Sequence, residues 1–150
     1  MINNQKTVLS TRDMILACMA AAGGSSYEPV HIQKLVFIFQ EKVGDFLETK
    51  PFTFRPYHYG PYDPAIYATL GQLSNDGIVS IDGGPFDKWH SYSLVPERTT
   101  EAQEALDSLP EYLRNYLVDL SKWVRSQGFA NLVGAVYKEF PAMRANSIFR

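Results

Sequence analysis

Residues 54–67 read FRPYHYGPYDPAIY: four tyrosines, one histidine and one arginine set among three prolines and a glycine. Tyrosine buries a large area at low rotamer cost and keeps a hydroxyl for one hydrogen bond. Tyr57, His58, Tyr59 and Tyr62 are therefore a candidate recognition patch for a protein partner. The same spacing also describes a rigid elbow. Gly60 permits a left-handed turn, Pro61 fixes the residue after it, and the tyrosines then cover the core with their hydroxyls in water. Both readings hold together if alternate tyrosines face opposite ways. Trp89, with Phe86 and Tyr92, adds a second aromatic candidate further along the chain, either at an exposed tip or alternating into the core.

Other chemistries find less to work with. His31, His58 and His90 could join Cys18 or Asp63 in a zinc site, but no pair stands at the Cys-x-x-Cys or His-x-x-x-His spacing that such sites use. No metal and no cofactor is expected. No Gly-x-Ser-x-Gly elbow occurs, Cys18 has no base nearby in sequence, and Gly83-Gly84 runs into Pro85 rather than into a helix N-terminus. Catalytic residues are not expected, and an enzyme is the weakest class.

A chain of 150 residues with 45% apolar and 20% charged residues is predicted to form one domain around one core, numbered 1–150. Its apolar runs are far shorter than the roughly 20 residues that cross a bilayer, so no membrane association is expected. The start MINNQKTVLSTRD lacks the pattern of a secretory signal, which predicts a cytoplasmic protein. The single Cys18 suits a reducing compartment. The net charge of −2 is unevenly spread. Residues 61–100 carry Asp63, Asp76, Asp82, Asp87 and Glu97 against Lys88 and Arg98, a balance of −3. Residues 120–150 carry Lys122, Arg125, Lys138, Arg144 and Arg150 against Glu139, a balance of +4. Attraction for an acidic partner belongs to that end.

These side chains need elements to hold them. Ser10 with Asp13 predicts a capped helix that stops at Gly23-Gly24. Pro29 opens a second helix whose inward stripe is Ile32, Leu35, Val36, Phe39, Val43 and Phe46. Residues 51–60 alternate like a strand, but Pro51 and Pro56 limit them to an edge strand or extended arm. Asp63 caps a third helix, with Pro64 at its first position and Ile66, Tyr67, Leu70 and Leu73 facing inward. Residues 78–82 and 88–95 form a β-hairpin. Thr99, Thr100 and Gln103 resemble a capping box for a helical C-terminal third, restarted by Pro110 and broken by Gly128. Helix, helix, arm, helix, hairpin is the order of a winged-helix-like module. The expected fold is thus α+β and mostly helical, with a core over about residues 10–96 and a helical extension over about 97–150.

The segment IQKLVFIFQ, residues 32–40, followed by YHYGPYDPAIYATLGQLSNDGIV resembles the Panacea domain family, a phage-associated group that includes SocA-like antitoxins, and a neighbouring group of small winged-helix-like regulators. The shared pattern is Gln33, Lys34, Leu35 and Gln40, then Tyr59-Gly60-Pro61, then a helix that ends in glycine before a hairpin, and it covers roughly half of the chain. The resemblance implies a non-enzymatic module of a toxin-antitoxin system or a phage-associated regulator, binding a protein partner such as a cognate toxin, with a homodimer also compatible. The runner-up is a DNA-binding transcriptional regulator. The helix that would enter the major groove has no Lys or Arg and carries Asp63 and Asp76 at its ends, so nucleic acid has weaker support.

Overall fold

Ser10 sets the first helix. Its hydroxyl accepts from Asp13 N at 3.0 Å, and the Asp13 carboxylate accepts in return from Ser10 N at 3.5 Å, closing a capping box on α1 (Thr11–Ala21). The computed structural model describes residues 5–83 and 90–149. Met14 through Ala21 are all buried, because α1 is covered by neighbours on several sides and needs no wet face. The second helix, α2 (Pro29–Val43), goes further: every residue from Ile32 to Gln40 is buried, Gln33, Lys34 and Gln40 included. An amphipathic stripe was expected here, and a central helix wrapped by the rest of the chain is found.

Phe46 departs from its expected inward place. The α-helix ends at Val43 and tightens into a 3₁₀ turn at Gly44–Phe46, which rotates each residue further round the axis. Phe46 is left half-exposed, meeting the ring of Tyr112 edge-on at 5.3 Å.

The arm after it becomes a small hairpin, β1 (Arg55–Tyr57) and β2 (Gly60–Tyr62), turning at His58-Tyr59. Pro56 stands opposite Pro61. Two prolines have no N–H to exchange, so they fit only a non-hydrogen-bonded pair, and the ladder is held at its ends. Gly60 has φ +105°, the left-handed region that its position in the turn requires. Next, α3 (Ala65–Asn75) starts where the Asp63 carboxylate accepts from Ala65 N at 2.9 Å, as its capping role predicts.

The second hairpin pairs β3 (Val79–Asp82) with β4 (Ser91–Leu94), Val79 opposite Leu94. Tyr27 and Tyr92 exchange both backbone hydrogen bonds at 2.9 Å, tying the α1–α2 loop to β4. Trp89 and Phe86 lie outside the described residues.

The expected capping box of α4 (Thr100–Asp107) does not form. Thr99 has helical rather than extended torsions, and the Gln103 amide donates forward to Asp107 at 2.9 Å. Then α5 (Glu111–Ser126) and α6 (Phe129–Glu139) pack on α2. Leu113, Leu117, Leu120 and Val124 of α5 and Leu132 and Val136 of α6 join the same apolar core as α1 and α2. The C-terminal third is therefore part of the wrapping around α2. The whole is a mostly helical α+β fold with two separate two-stranded antiparallel hairpins among the described residues. No helix among them is long and apolar enough to cross a membrane.

Candidate functional site

The β1–β2 ladder is short and pairs only some of the backbone groups of residues 52–63, so the rest need other partners. Three buried polar side chains of α2 supply them. The Gln40 amide accepts from Phe52 N at 3.0 Å and donates to Phe52 O at 2.8 Å. The Gln33 amide does the same to Asp63, accepting from its N at 3.1 Å and donating to its O at 2.9 Å. Between them Lys34 Nζ donates to Pro61 O at 3.2 Å. Asp63 adds a fourth tie, its carboxylate accepting from Thr53 N at 2.8 Å. The arm is thus fastened to the central helix at both ends and in the middle.

With its backbone fixed this way, the hairpin lines up its rings. His58 stacks on Tyr57 at 4.3 Å, Tyr57 on Tyr62 at 4.8 Å, Tyr62 lies 6.0 Å from Tyr67, and Tyr67 stacks on Tyr92 at 6.3 Å. The row runs from the turn tip, across α3, to the second hairpin. Tyr57 is 47% exposed and Tyr59 43% exposed, while Tyr62 is half-buried. The tip is open to solvent and the base is packed, as an elbow with alternate tyrosines facing opposite ways requires.

Tyr57, Tyr59, Gly60 and Tyr62 form one wall of an open cleft of about 200 Å³. The opposite side comes from Val30, Gln33 and Lys34 at the start of α2, and Phe129, the first residue of α6, closes one end with its ring 5.0 Å from that of Tyr59. On the far side of the Tyr57–Tyr62 stack a second hollow is lined by Arg55 and Asp63. The tyrosine pair is a partition between the two.

Lys34 is only 4% exposed. Burial lowers its ammonium to about 8, and desolvation alone does so. It has no ion-pair partner among the described residues, and neither does Arg55. Gly60 keeps the space beside Lys34 clear. A Cβ there would sit 3.4 Å from Lys34 Cε and 3.5 Å from the ring of Tyr137, whose buried hydroxyl has no hydrogen-bond partner among the described residues.

The C-terminal segment completes the hairpin. Asn146 Nδ2 donates to Pro56 O at 3.1 Å, and Ile148 N and Ser147 Oγ donate to His58 O at 3.0 and 3.3 Å. These bonds cover the outer edge of β1, which would otherwise expose unpaired carbonyls. Phe149 then approaches Phe129 at 6.1 Å.

The other candidates are dispersed. His31 bridges Glu28 N at 3.3 Å and Gln127 O at 3.1 Å, His58 sits at the hairpin tip, and His90 lies 6.4 Å from Tyr92. No three of His, Cys, Asp and Glu come together as a metal-binding group among the described residues. Cys18 is fully buried and desolvation pushes its thiol up, the opposite of what a nucleophile needs. The outward face of α3 presents Ala68, Gln72 and Asn75, with no cation.

Lys34, Phe129 and the tail at residues 146–149 were not among the site residues read from the sequence. For Lys34 a signal exists: in residues 32–39 apolar side chains surround the helix, which leaves a lysine there no solvent-facing side. Nothing comparable marks Phe129 or the tail. A scan of the chain against protein-family models matches none, and a search of curated proteins finds no match.

Proposed function

We propose that the protein is a non-enzymatic interaction module, an antitoxin-type or phage-associated regulator that grips a partner protein at the cleft between the β1–β2 hairpin and α2. The observation that carries this reading is the pairing of half-exposed Tyr57 and Tyr59 with a packed, backbone-anchored base. Aromatic anchors held rigidly lose little entropy on binding, which is the arrangement that interface hot spots use. The likeness of residues 32–40 and 57–79 to Panacea-type antitoxins supports a toxin encoded beside this chain as that partner. The acidic balance of residues 61–100 and the uncharged outward face of α3 weigh against a DNA-gripping role.

The test compares baits. Wild-type protein and the Tyr57→Ala/Tyr62→Ala variant are used to capture partners from the native host, and both are titrated against the DNA upstream of their own gene. A protein retained by the wild type and lost by the variant supports the proposal. Sequence-specific DNA binding that ignores the tyrosines overturns it.

A further inference from the structure

The cleft wall is almost entirely apolar, yet a lysine is buried in it. Gln33 has both ends of its amide engaged by Asp63, so it offers a ligand little. Lys34 Nζ spends one hydrogen bond on Pro61 O and lies 3.8 Å from where a Cβ on Gly60 would stand, beside a residue that itself lines the cleft. An ammonium taken from water with a single carbonyl for company is an unfavourable arrangement, relieved by an anion that brings charge and hydrogen-bond acceptors together. The surroundings restrict which anion. Phosphate sites use several N–H donors or a guanidinium fork, and here one ammonium stands among rings. A singly charged carboxylate on an apolar body matches both the charge and the walls. Arg55 lines the separate hollow behind the Tyr57–Tyr62 stack, so Lys34 is the cation of this cleft among the described residues.

We infer that the cleft takes an acidic side chain of the partner, presented beside an apolar residue, with its carboxylate on Lys34 Nζ and the apolar neighbour against Tyr57, Tyr62 and Phe129. This inference rests on the interaction reading above and gives that partner a chemistry. Gly60 is the positioning residue: any side chain there occupies the space next to Nζ. The protonated amine is the binding form, so affinity is full below about 8 and declines above it, where capture of the carboxylate requires proton uptake.

The experiment titrates the full chain with N-acetyl-Phe-Glu-amide and its neutral isostere N-acetyl-Phe-Gln-amide, following the tyrosine resonances by NMR from pH 6.5 to 9. The acidic probe should bind roughly tenfold or more tightly than the neutral one at pH 6.5, and that preference should shrink as the pH approaches 9. Lys34→Met, checked for an unchanged circular dichroism spectrum, should erase the preference; should it fail to fold, the wild-type pH series still decides. Equal affinity for the two probes, no binding of either at millimolar concentration, or a preference that persists unchanged to pH 9 overturns the inference. Binding of free 3-phenylpropionate without the acidic dipeptide assigns the cleft to a small carboxylate and overturns it as a docking site. Partner binding lost in Tyr57→Ala yet untouched in Lys34→Met leaves the interaction module standing and removes the carboxylate. Partner binding indifferent to the tyrosines removes the interaction reading and, with it, the partner's carboxylate from this cleft, even if the dipeptide preference is intact.

Discussion

Lys34 Nζ and the carbonyl oxygen of Pro61 stand 3.2 Å apart, joining the buried interior of α2 to β2 through an ammonium that no described carboxylate neutralises. One contact thus does two things: it fixes the hairpin, and it leaves an uncompensated charge at the cleft wall.

The pH dependence of stability follows from that charge. Burial lowers Lys34 to about 8 in the folded chain, against about 10.5 for an exposed lysine. Below pH 8 both states hold the proton and the folded state bears the full desolvation cost. Between 8 and 10.5 the folded chain sheds its proton first, so stability rises through that window and levels above it. The stability difference between Lys34→Met and wild type should therefore shift in favour of wild type by about 3 kcal/mol from pH 7.5 to 10.5, read by urea denaturation. A difference that stays constant contradicts the burial of a charged amine.

Gly60 should tolerate substitution poorly. With φ at +105°, Gly60→Val imposes backbone strain on the order of 1–3 kcal/mol, whatever the space around it. Tyr57→Ala, at a half-exposed tip, should change stability by less than about 1 kcal/mol. Thermal melts in which the valine variant matches wild type would remove the strained turn from the account.

The amide clamps should matter more than the surface ion pairs. Gln33→Leu strips both backbone groups of Asp63 of their side-chain partner, and Gln40→Leu does so to Phe52; each should cost about 1–3 kcal/mol. Arg12 bonds both Asp76 and Glu101 at 2.8 Å, which holds its guanidinium charge and pulls the Glu101 carboxyl down. That group is well exposed, and Arg12→Met should cost under about 1 kcal/mol, less in high salt. Denaturant titrations that rank these variants the other way would contradict the clamp.

Most of the helical order could be read directly, because caps and periodic apolar residues are local signals: Ser10 with Asp13, Pro29, and Asp63 before Ala65 all act where their spacing places them. Failures came where a tertiary choice decides. Phe46 continues the apolar period of α2, but the tightened turn at Gly44 swings it outward to Tyr112. Thr99 and Gln103 have the right spacing for a box and the wrong torsions. The turn at Gly60 was legible from its glycine and the flanking prolines. The cleft beside it was not, since its other walls, Lys34 and Phe129, arrive from 23 residues before Tyr57 and 72 after it. The tail on β1 was invisible for the same reason: Ile148 meets His58 across 90 residues of chain.

That tail provides a further check. Removing residues 146–150 uncovers the Pro56 and His58 carbonyls, so amide exchange at Tyr57, Tyr59 and Tyr62 should quicken while exchange in α1 and α2 is unchanged. Uniform loss of protection would mean the tail supports the whole core and not the hairpin.

The most direct measurement is the affinity of the captured partner for wild type, Tyr57→Ala, Tyr62→Ala and a Lys122→Ser/Arg125→Ser/Lys138→Ser variant, each by calorimetry at low and high salt. If the aromatic cleft is the binding site, either tyrosine change weakens binding by about 2 kcal/mol, the three-cation variant leaves it near wild type, and the wild-type complex survives moderate salt. Binding that ignores both tyrosines, falls steeply with salt and disappears with the three cations would contradict the account.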